Sequence, residues 1–279
     1  MVAAITLYHP DNKIMEHIIN MIPFFEIIYL FDNTEMQSDE VRERFHIKGI
    51  KYATKKTNKG LAYGLNVCCN QAYKDGYQWI MLLDQDSAVT LDLVNEMNAF
   101  IKEYDEERLA IVAPMIDDNK IRNVRVQRAE KKKAVITSGM VLKLEAFRKN
   151  GYFETALFLD GVDFEYCLRL YKNGYYILKN HQVALCHNQY DNERVIGQYK
   201  VNKYPAIRHY YICRSYFYIK EHYPQEREFV NGLRKSNQDW LRGVMLYDNN
   251  KFKKILAMVL AGIDYKMGKL GKCRWKMLT

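Results

Sequence analysis

Trp79-Ile80-Met81-Leu82-Leu83-Asp84-Gln85-Asp86 decides the fold class: five apolar residues in a row, closed at once by three polar, turn-forming ones. A continuous apolar run of this length suits a strand buried on both faces, and such strands belong to parallel sheets covered by helices. Similar runs precede it. Val2–Tyr8 ends at His9-Pro10, where proline stops a strand and Asp11 can cap a helix carrying Ile14, Ile18, Met21 and Ile22 at helical spacing. Ile27–Phe31 ends in Asp32-Asn33. Ile50–Ala53 leads into Asn58-Lys59-Gly60, after which Leu61, Leu65, Cys68 or Cys69, and Ala72 form a helical stripe. Strands alternating with helices of about 10–15 residues imply βαβ units and a mostly parallel sheet. Ligands of such sheets sit at the carboxyl ends of the strands. The site is therefore expected where Tyr8-His9-Pro10, Asp32-Asn33 and Asp84-Gln85-Asp86 meet.

Farther along, Ile121–Gln127 alternates polar and apolar residues before Arg128-Ala129-Glu130-Lys131-Lys132-Lys133 interrupts, and Ala134–Ser138 reads as a strand ending at Gly139. Asp163–Lys172 reads as a helix closed by Asn173-Gly174. Beyond about residue 200 the pattern is helical, with Pro205 and Pro224 bracketing Ala206–Tyr223. The expected division is a catalytic domain over 1–200 and a helical C-terminal region over 201–279.

The chain has 279 residues, 48% hydrophobic and 27% charged, enough for a sizeable core. Its 42 Lys and Arg against 33 Asp and Glu give a net charge of +9. Residues 251–279 hold eight of the basic side chains (Lys251, Lys253, Lys254, Lys266, Lys269, Lys272, Arg274, Lys276) and one acid, Asp264. The first 250 residues are thus nearly balanced. No run of about 18 apolar residues offers a membrane-spanning helix, and the first residues lack a secretory pattern. The six cysteines show no CxxC spacing and read as mostly buried thiols of a reducing cytoplasm.

Two carboxylates one residue apart at a strand end, Asp84 and Asp86, suit a hard divalent cation, Mg2+ or Mn2+, which takes carboxylates together with a substrate's phosphates. The plainer reading is a pair of surface acids capping a helix that starts near Leu91. Asp160-Gly161-Val162-Asp163-Phe164-Glu165 places three carboxylates before or within a helix start, where the dipole stabilises negative charge. Asp163 and Glu165 do not share a helical face, so they have different tasks, and a carboxylate there is a candidate general base. His187 follows the apolar run Val183–Cys186; it reads as a hydrogen-bonded structural residue or as a further metal ligand, with His9, His181 and His209 as competitors.

Taken in order, Thr6-Leu7-Tyr8-His9-Pro10, Asp32-Asn33-Thr34, Asn58-Lys59-Gly60-Leu61-Ala62 with Asn66, Leu83-Asp84-Gln85-Asp86-Ser87, Thr137-Ser138-Gly139, Phe158 through Arg169, and His187 resemble the inverting family 2 glycosyltransferases. The Leu-Asp-Gln-Asp-Ser form tilts the resemblance toward the bacterial rhamnosyltransferase branch. Arg208-His209-Tyr210-Tyr211 with Arg214 is similar to the family's later helix. The resemblance implies an α/β GT-A fold: a Rossmann-like nucleotide-binding half and an acceptor half on one mixed sheet, here with a helical C-terminal extension. It implies donor contacts from Thr6, Tyr8, Asp32, Asn58, Gly60, Asp84 and Gln85, and a metal held by Asp86 and His187. It makes Asp163 the catalytic base. Ser138, Gly139, Glu165, Arg208 and Arg214 become candidates for the acceptor side. The chain departs from the family at Ser215, where asparagine is frequent, and at Asn188-Gln189-Tyr190.

The activity these parts imply is metal-dependent transfer of a sugar, foremost L-rhamnose from dTDP-L-rhamnose, onto a lipid-linked cell-surface glycan precursor. A UDP-hexose or UDP-HexNAc donor is the alternative within the fold. A nucleotidyltransferase lacks its glycine-rich phosphate loop here, and a non-catalytic membrane-associated module would not keep Asp86, Asp163 and His187 together. The basic, apolar-striped segment 251–279 reads as a membrane-surface element, or as a helix packed on the catalytic domain with a solvated lysine face. The first reading places the protein at the inner face of the bacterial membrane, peripheral and cytoplasmic. Without a recognition motif the charge does not indicate nucleic acid, and a homodimer stays open. Arg122, Arg125, Arg128 and Lys131–Lys133 form a second basic cluster, expected in a loop or hairpin.

Overall fold

The computed structural model describes residues 1–35, 39–117, 128–186, 193–196, 199–202, 204–248 and 250–278. Chain order runs β1 (Val2–Leu7), α1 (Asn12–Asn20), β2 (Ile28–Asp32), α2 (Asp39–Arg44), β3 (Ile50–Thr54), α3 (Leu61–Lys74), β4 (Trp79–Asp84) and α4 (Leu91–Tyr104). It continues with β5 (Leu109–Asp117), β6 (Ala129–Lys132), β7 (Met140–Lys143), α5 (Leu144–Asn150), α6 (Val162–Lys172) and β8 (Tyr176–Cys186). The hairpin β9 (Glu193–Ile196) and β10 (Tyr199–Asn202) precedes α7 (Ala206–His222), α8 (Arg227–Tyr247) and α9 (Lys251–Lys266). Two compact units result: residues 1–153 with 166–188, and residues 154–165 with 189–279.

The first unit holds a mixed sheet of order β3-β2-β1-β4-β7-β5-β8-β6. The four strands expected from the apolar runs pair in parallel, β3 to β2, β2 to β1 and β1 to β4. Their connecting helices start where the sequence places them. Asp11 accepts the Ile14 N–H at 2.8 Å, and Gly60, with φ +88°, turns the chain into α3. One face of β1 (Ala3, Ile5, Leu7) packs on Met15 and Ile18 of α1 and on Leu93 and Met97 of α4. Each such buried Leu, Ile or Met contributes about 1.5–3 kcal/mol.

Two expectations are corrected. Ala134–Ser138 is not a strand; the strand begins after Gly139, as β7, antiparallel to both β4 and β5. Gly139 adopts φ +81° and donates to the Leu82 carbonyl at 2.8 Å. A β-carbon there would meet the Pro114 ring at 2.8 Å, so the chain turns at this glycine before pairing. The charged stretch at 128–133 does not interrupt the fold either: Ala129–Lys132 is β6, an edge strand antiparallel to β8. Lysines suit an edge, where charge discourages pairing with another chain. Arg128 beside it is paired with Glu96 at 2.9 Å and with Glu103 at 2.5 Å. Arg122 and Arg125 of that basic cluster lie outside the described residues.

The second unit is built on α7 and α9, which bury Tyr210, Tyr211, Ala257, Leu260 and Ala261 with Phe158 and Leu278. Pro205 precedes α7 and Tyr223 ends it, as the two prolines require. Arg214 is buried between the Tyr210 and Tyr211 rings, at 5.0 and 5.1 Å. It donates to the Gly271 carbonyl at 2.6 Å and the Lys269 carbonyl at 3.4 Å, which compensates the loss of water around its charge. Among the described residues, no helix is long and apolar enough to cross a membrane.

Candidate active site

Parallel registry brings the polar strand ends of the first unit to one edge: Leu7 lies opposite Asp32, Asp32 opposite Thr54, and Thr6 opposite Asp84. One side-chain amide ties two of these ends. The Tyr8 N–H donates to Gln85 Oε1 at 2.9 Å, and Gln85 Nε2 donates to the Tyr8 carbonyl at 3.4 Å. The Tyr8 ring is left about half exposed beside that edge, at 47%. His9, with φ +47°, donates its N–H to Thr34 Oγ1 at 2.8 Å.

Asp32 is fully buried; it accepts the Thr34 N–H at 2.7 Å and the Tyr52 hydroxyl at 3.1 Å. Its carboxylate therefore shapes the turn that carries Asn33 and Thr34. Burial and the Asp32 charge push the Tyr52 hydroxyl upward, so it stays a neutral donor. Asn33 bridges to the loop before α3, accepting the Lys59 N–H and donating to the Gly60 carbonyl, both at 3.0 Å. Asn58 Oδ1 accepts the Gly60 N–H at 3.0 Å. Thr6 Oγ1 is buried, and a β-carbon at Gly64 would approach it to 2.8 Å, so α3 packs directly over Thr6.

The loop after β4 is braced from below. Ser87 Oγ accepts the Asp84 N–H at 3.0 Å and lies 2.7 Å from Ser138 Oγ, and His17 Nε2 lies 2.9 Å from the Ser87 carbonyl. Ser138 and Gly139, candidates for the acceptor side on sequence, are buried here, Ser138 against Ser87 of this loop and Gly139 on the Leu82 carbonyl of β4. Asp86 is exposed and forms no ion pair among the described residues. Neither acid caps α4, because Thr90 does, accepting the Leu93 N–H at 3.2 Å. The capping role of the plainer reading thereby goes to Thr90.

Ala88 forms a β-bridge with Cys186, the residue directly before His187 in the chain, while His187 lies outside the described residues. Two of the competing histidines are otherwise engaged: His181 Nε2 sits 2.8 Å from Glu130, and His9 faces Glu35 at 3.8 Å. Burial, with Lys254 nearby, pushes the His209 imidazole down to about 4. No group of three or more metal-ligating side chains occurs among the described residues. An exposed carboxylate on a braced loop still fits a cation that takes one or two carboxylates and completes its shell with phosphate oxygens.

In the second unit, Asp160-Gly161 forms the turn into α6. Gly161 has φ +79°, and a β-carbon there would meet the Ser215 β-carbon at 2.6 Å. Ser215 Oγ donates to the Asp160 carbonyl, a role for that departure from the family pattern that only the structure reveals. Burial pushes the Asp160 carboxyl up to about 6, although Arg208 Nε, 3.4 Å away, pulls the other way. Arg208 also lies over the Tyr204 ring at 4.1 Å. Asp163 stands in the first turn of α6 and is half-buried, whereas Glu165 is buried and accepts the Tyr223 hydroxyl at 2.7 Å. The two carboxylates therefore have different surroundings. Asn33, Thr34, Ser87 and Ser215 carry the supporting bonds; their partners lie 25 to 55 residues away, beyond any local pattern.

Residues 13–166 match the family model described as glycosyl transferase family 2. The chain is similar to the dTDP-rhamnosyl transferase RfbF of Shigella flexneri, 24% identical over 241 residues that cover 78% of this chain and 79% of that protein. Among solved structures it is similar to residues 1–349 of S. aureus TarS in complex with UDP-GlcNAc, with a TM-score of 0.51, 13% identity and coverage of 96% and 92%. It is also similar to GalNAc-T7 with UDP, GalNAc and Mn2+, with a TM-score of 0.54, 14% identity and 67% of this chain covered. The chain spans 42% of that GalNAc-T7 chain and 44% of the longer TarS chain.

Proposed function

The chain belongs to glycosyl transferase family 2 and has its GT-A fold, and from that premise we propose that it transfers L-rhamnose from dTDP-L-rhamnose, with inversion, onto a lipid-linked glycan precursor. The donor reading is supported by the likeness to the Shigella flexneri dTDP-rhamnosyl transferase and by the Leu83-Asp84-Gln85-Asp86-Ser87 segment. The observation that carries the transfer reading is the convergence of the Tyr8, Asp32, Asn58-Gly60 and Asp84-Gln85-Asp86 segments at one sheet edge, with the Asp86 carboxylate exposed and in no ion pair among the described residues.

In this reading Tyr8, with the Asn33–Gly60 loop, lines the nucleoside pocket; Asp32 and Thr6 act by holding its walls. Asp84 and Gln85 border the sugar. Asp86 and His187 hold Mg2+ or Mn2+, and the Ala88–Cys186 bridge supports that pair because it fastens the chain next to His187 to the loop that carries Asp86. The metal, when bound, neutralises the charge that develops on the leaving diphosphate. Asp163 takes the proton of the acceptor hydroxyl as the oxygen attacks the anomeric carbon opposite the diphosphate. Such general-base assistance is typically worth 10²–10⁴-fold. Helix placement fixes that carboxylate's direction, which a weakly acidic hydroxyl demands. Glu165, closed by Tyr223, and Arg214, surrounded by carbonyls, position the second unit's own backbone.

A screen of dTDP- and UDP-sugars for Mn2+- or Mg2+-dependent release of nucleoside diphosphate tests the reading. Turnover of dTDP-rhamnose is expected. Turnover of a UDP-hexose or UDP-HexNAc with no response to dTDP-rhamnose overturns the donor, and metal-independent turnover overturns the role of Asp86.

A further inference from the structure

Helix α9 is two-faced, and both faces are apolar. Ala257, Leu260, Ala261 and the paired Asp264 turn inward, 8% exposed or less. They pack with Tyr210 and Tyr211 of α7, and the Cys213 thiol donates to the Met258 carbonyl. The opposite face carries Phe252, Leu256, Val259, Ile263 and Met267, exposed by 80, 41, 53, 44 and 56%. Their spacings of four, three, four and four residues align them along one side of the helix. Met245, Leu246 and Tyr247, at the end of α8 immediately before the turn into α9, are exposed as well, by 43% or more. A continuous outward apolar stripe of this kind is uncommon on a solvated helix and marks an interaction surface.

The charges around the stripe select the partner. Lys251 and Lys266 of α9, and Lys269 just after it, are exposed. The sole acid of 251–278, Asp264, is buried and paired with Arg274 at 2.7 Å. Lys254 is turned inward to Asp248. The outward surface of this segment is therefore apolar and cationic, with no acidic side chain. A second copy laid face to face on it would oppose like charges. The helix, 16 residues and about 24 Å long, is too short to span a bilayer and is already covered on its inner face.

We infer that the outer face of α9, with the end of α8, is a membrane-docking surface that lies in the interface of an anionic bilayer, the stripe inserted and the lysines against the headgroups. The inference deepens the proposed function by naming how a lipid-linked acceptor is met. It rests on that reading only for the acceptor's location, not for the binding itself.

The test uses the full chain in co-sedimentation with vesicles of phosphatidylglycerol and phosphatidylcholine at about 1:2, with phosphatidylcholine alone, and with the anionic vesicles in high salt. Binding to the anionic vesicles is expected, weakened at least about tenfold by either neutral lipid or salt. The double variant Phe252→Ser, Val259→Ser, which touches no inward residue, should lose at least about tenfold in partitioning with an unchanged melting temperature. Lys251→Gln with Lys266→Gln and Lys269→Gln should lose the preference for anionic lipid. Absence of wild-type binding, or undiminished binding by the serine variant, overturns the inference. So does a dimer in solution that the serine variant turns into a monomer, since a second copy would then own this face. Failed vesicle binding with intact donor turnover defeats the docking surface alone, whereas vesicle binding with no turnover of any nucleotide sugar defeats the enzymatic reading alone.

Discussion

Replacing Asp264 by alanine should loosen the whole second unit by an amount its contacts allow to be worked out. The carboxylate is 1% exposed and accepts from the Tyr210 hydroxyl at 2.8 Å, the Trp275 indole at 2.8 Å, and Arg274 through Nη2 at 2.7 Å and Nε at 3.1 Å. Burial alone would push its carboxyl up. The hydrogen bonds from Tyr210, Arg274 and Trp275 outweigh that and hold it below the ordinary range. Alanine strands the buried tyrosine hydroxyl and the indole N–H, at about 1–3 kcal/mol each. Arg274 is 46% exposed and regains water, so the full penalty of an abandoned buried charge does not apply.

The expected loss is about 3 kcal/mol, which at a urea slope of about 2 kcal/mol/M lowers the midpoint by about 1.5 M. Equilibrium urea unfolding followed by tryptophan fluorescence measures it. A depressed carboxylate stabilises fully above its unfolded pKa, and that contribution is lost as pH falls through the folded value. The gap between wild type and Asp264→Ala should therefore be complete at pH 7 and narrow below about pH 4. A midpoint shift under about 0.3 M, or a gap that persists undiminished at pH 3, refutes the reasoning.

Asp163→Asn should cut turnover by about 10²–10⁴-fold while calorimetric nucleotide affinity changes by less than about twofold; near-wild-type turnover would remove Asp163 as the base. Asp160 behaves oppositely to Asp264. Its carboxyl is raised to about 6, so the native state holds the proton more tightly than the unfolded one, and stability should decline as pH rises from about 4 to 6 and level off above. Melting temperatures of wild type and Asp160→Asn between pH 4 and 8 check this: the variant's profile should lack that decline, and parallel profiles would contradict the assignment.

Much of the first unit was legible because its signals are local. Unbroken apolar runs mark the four parallel strands, Asp11 caps α1, and Gly174 stands where α6 must end, as Pro205 marks the start of α7 in the second unit. The candidate site was legible as far as strand ends go, since parallel registry brings them to one edge whatever packs around them. The strand β7 was misread because Ala134–Ser138 has the composition of a strand, while the turn at Gly139 depends on Pro114 and Leu82, which are distant in the chain. Ser138 and Glu165 were readable as polar residues in the right places, but not as the partners of Ser87 and Tyr223.

The amino-acid sequence by itself determined the fold class and the family, because each rests on residue identity and short-range spacing. The basic tail shows where that stops. Its lysines and apolar residues were plain in the sequence. Only the tertiary structure divided them, sending Lys254 to Asp248, Arg274 to Asp264, and Ala257, Leu260 and Ala261 toward α7, while Phe252, Leu256, Val259 and Ile263 faced outward. Helical periodicity tells which residues share a face. Which face is covered, and which charges are already paired, depends on neighbours tens of residues away.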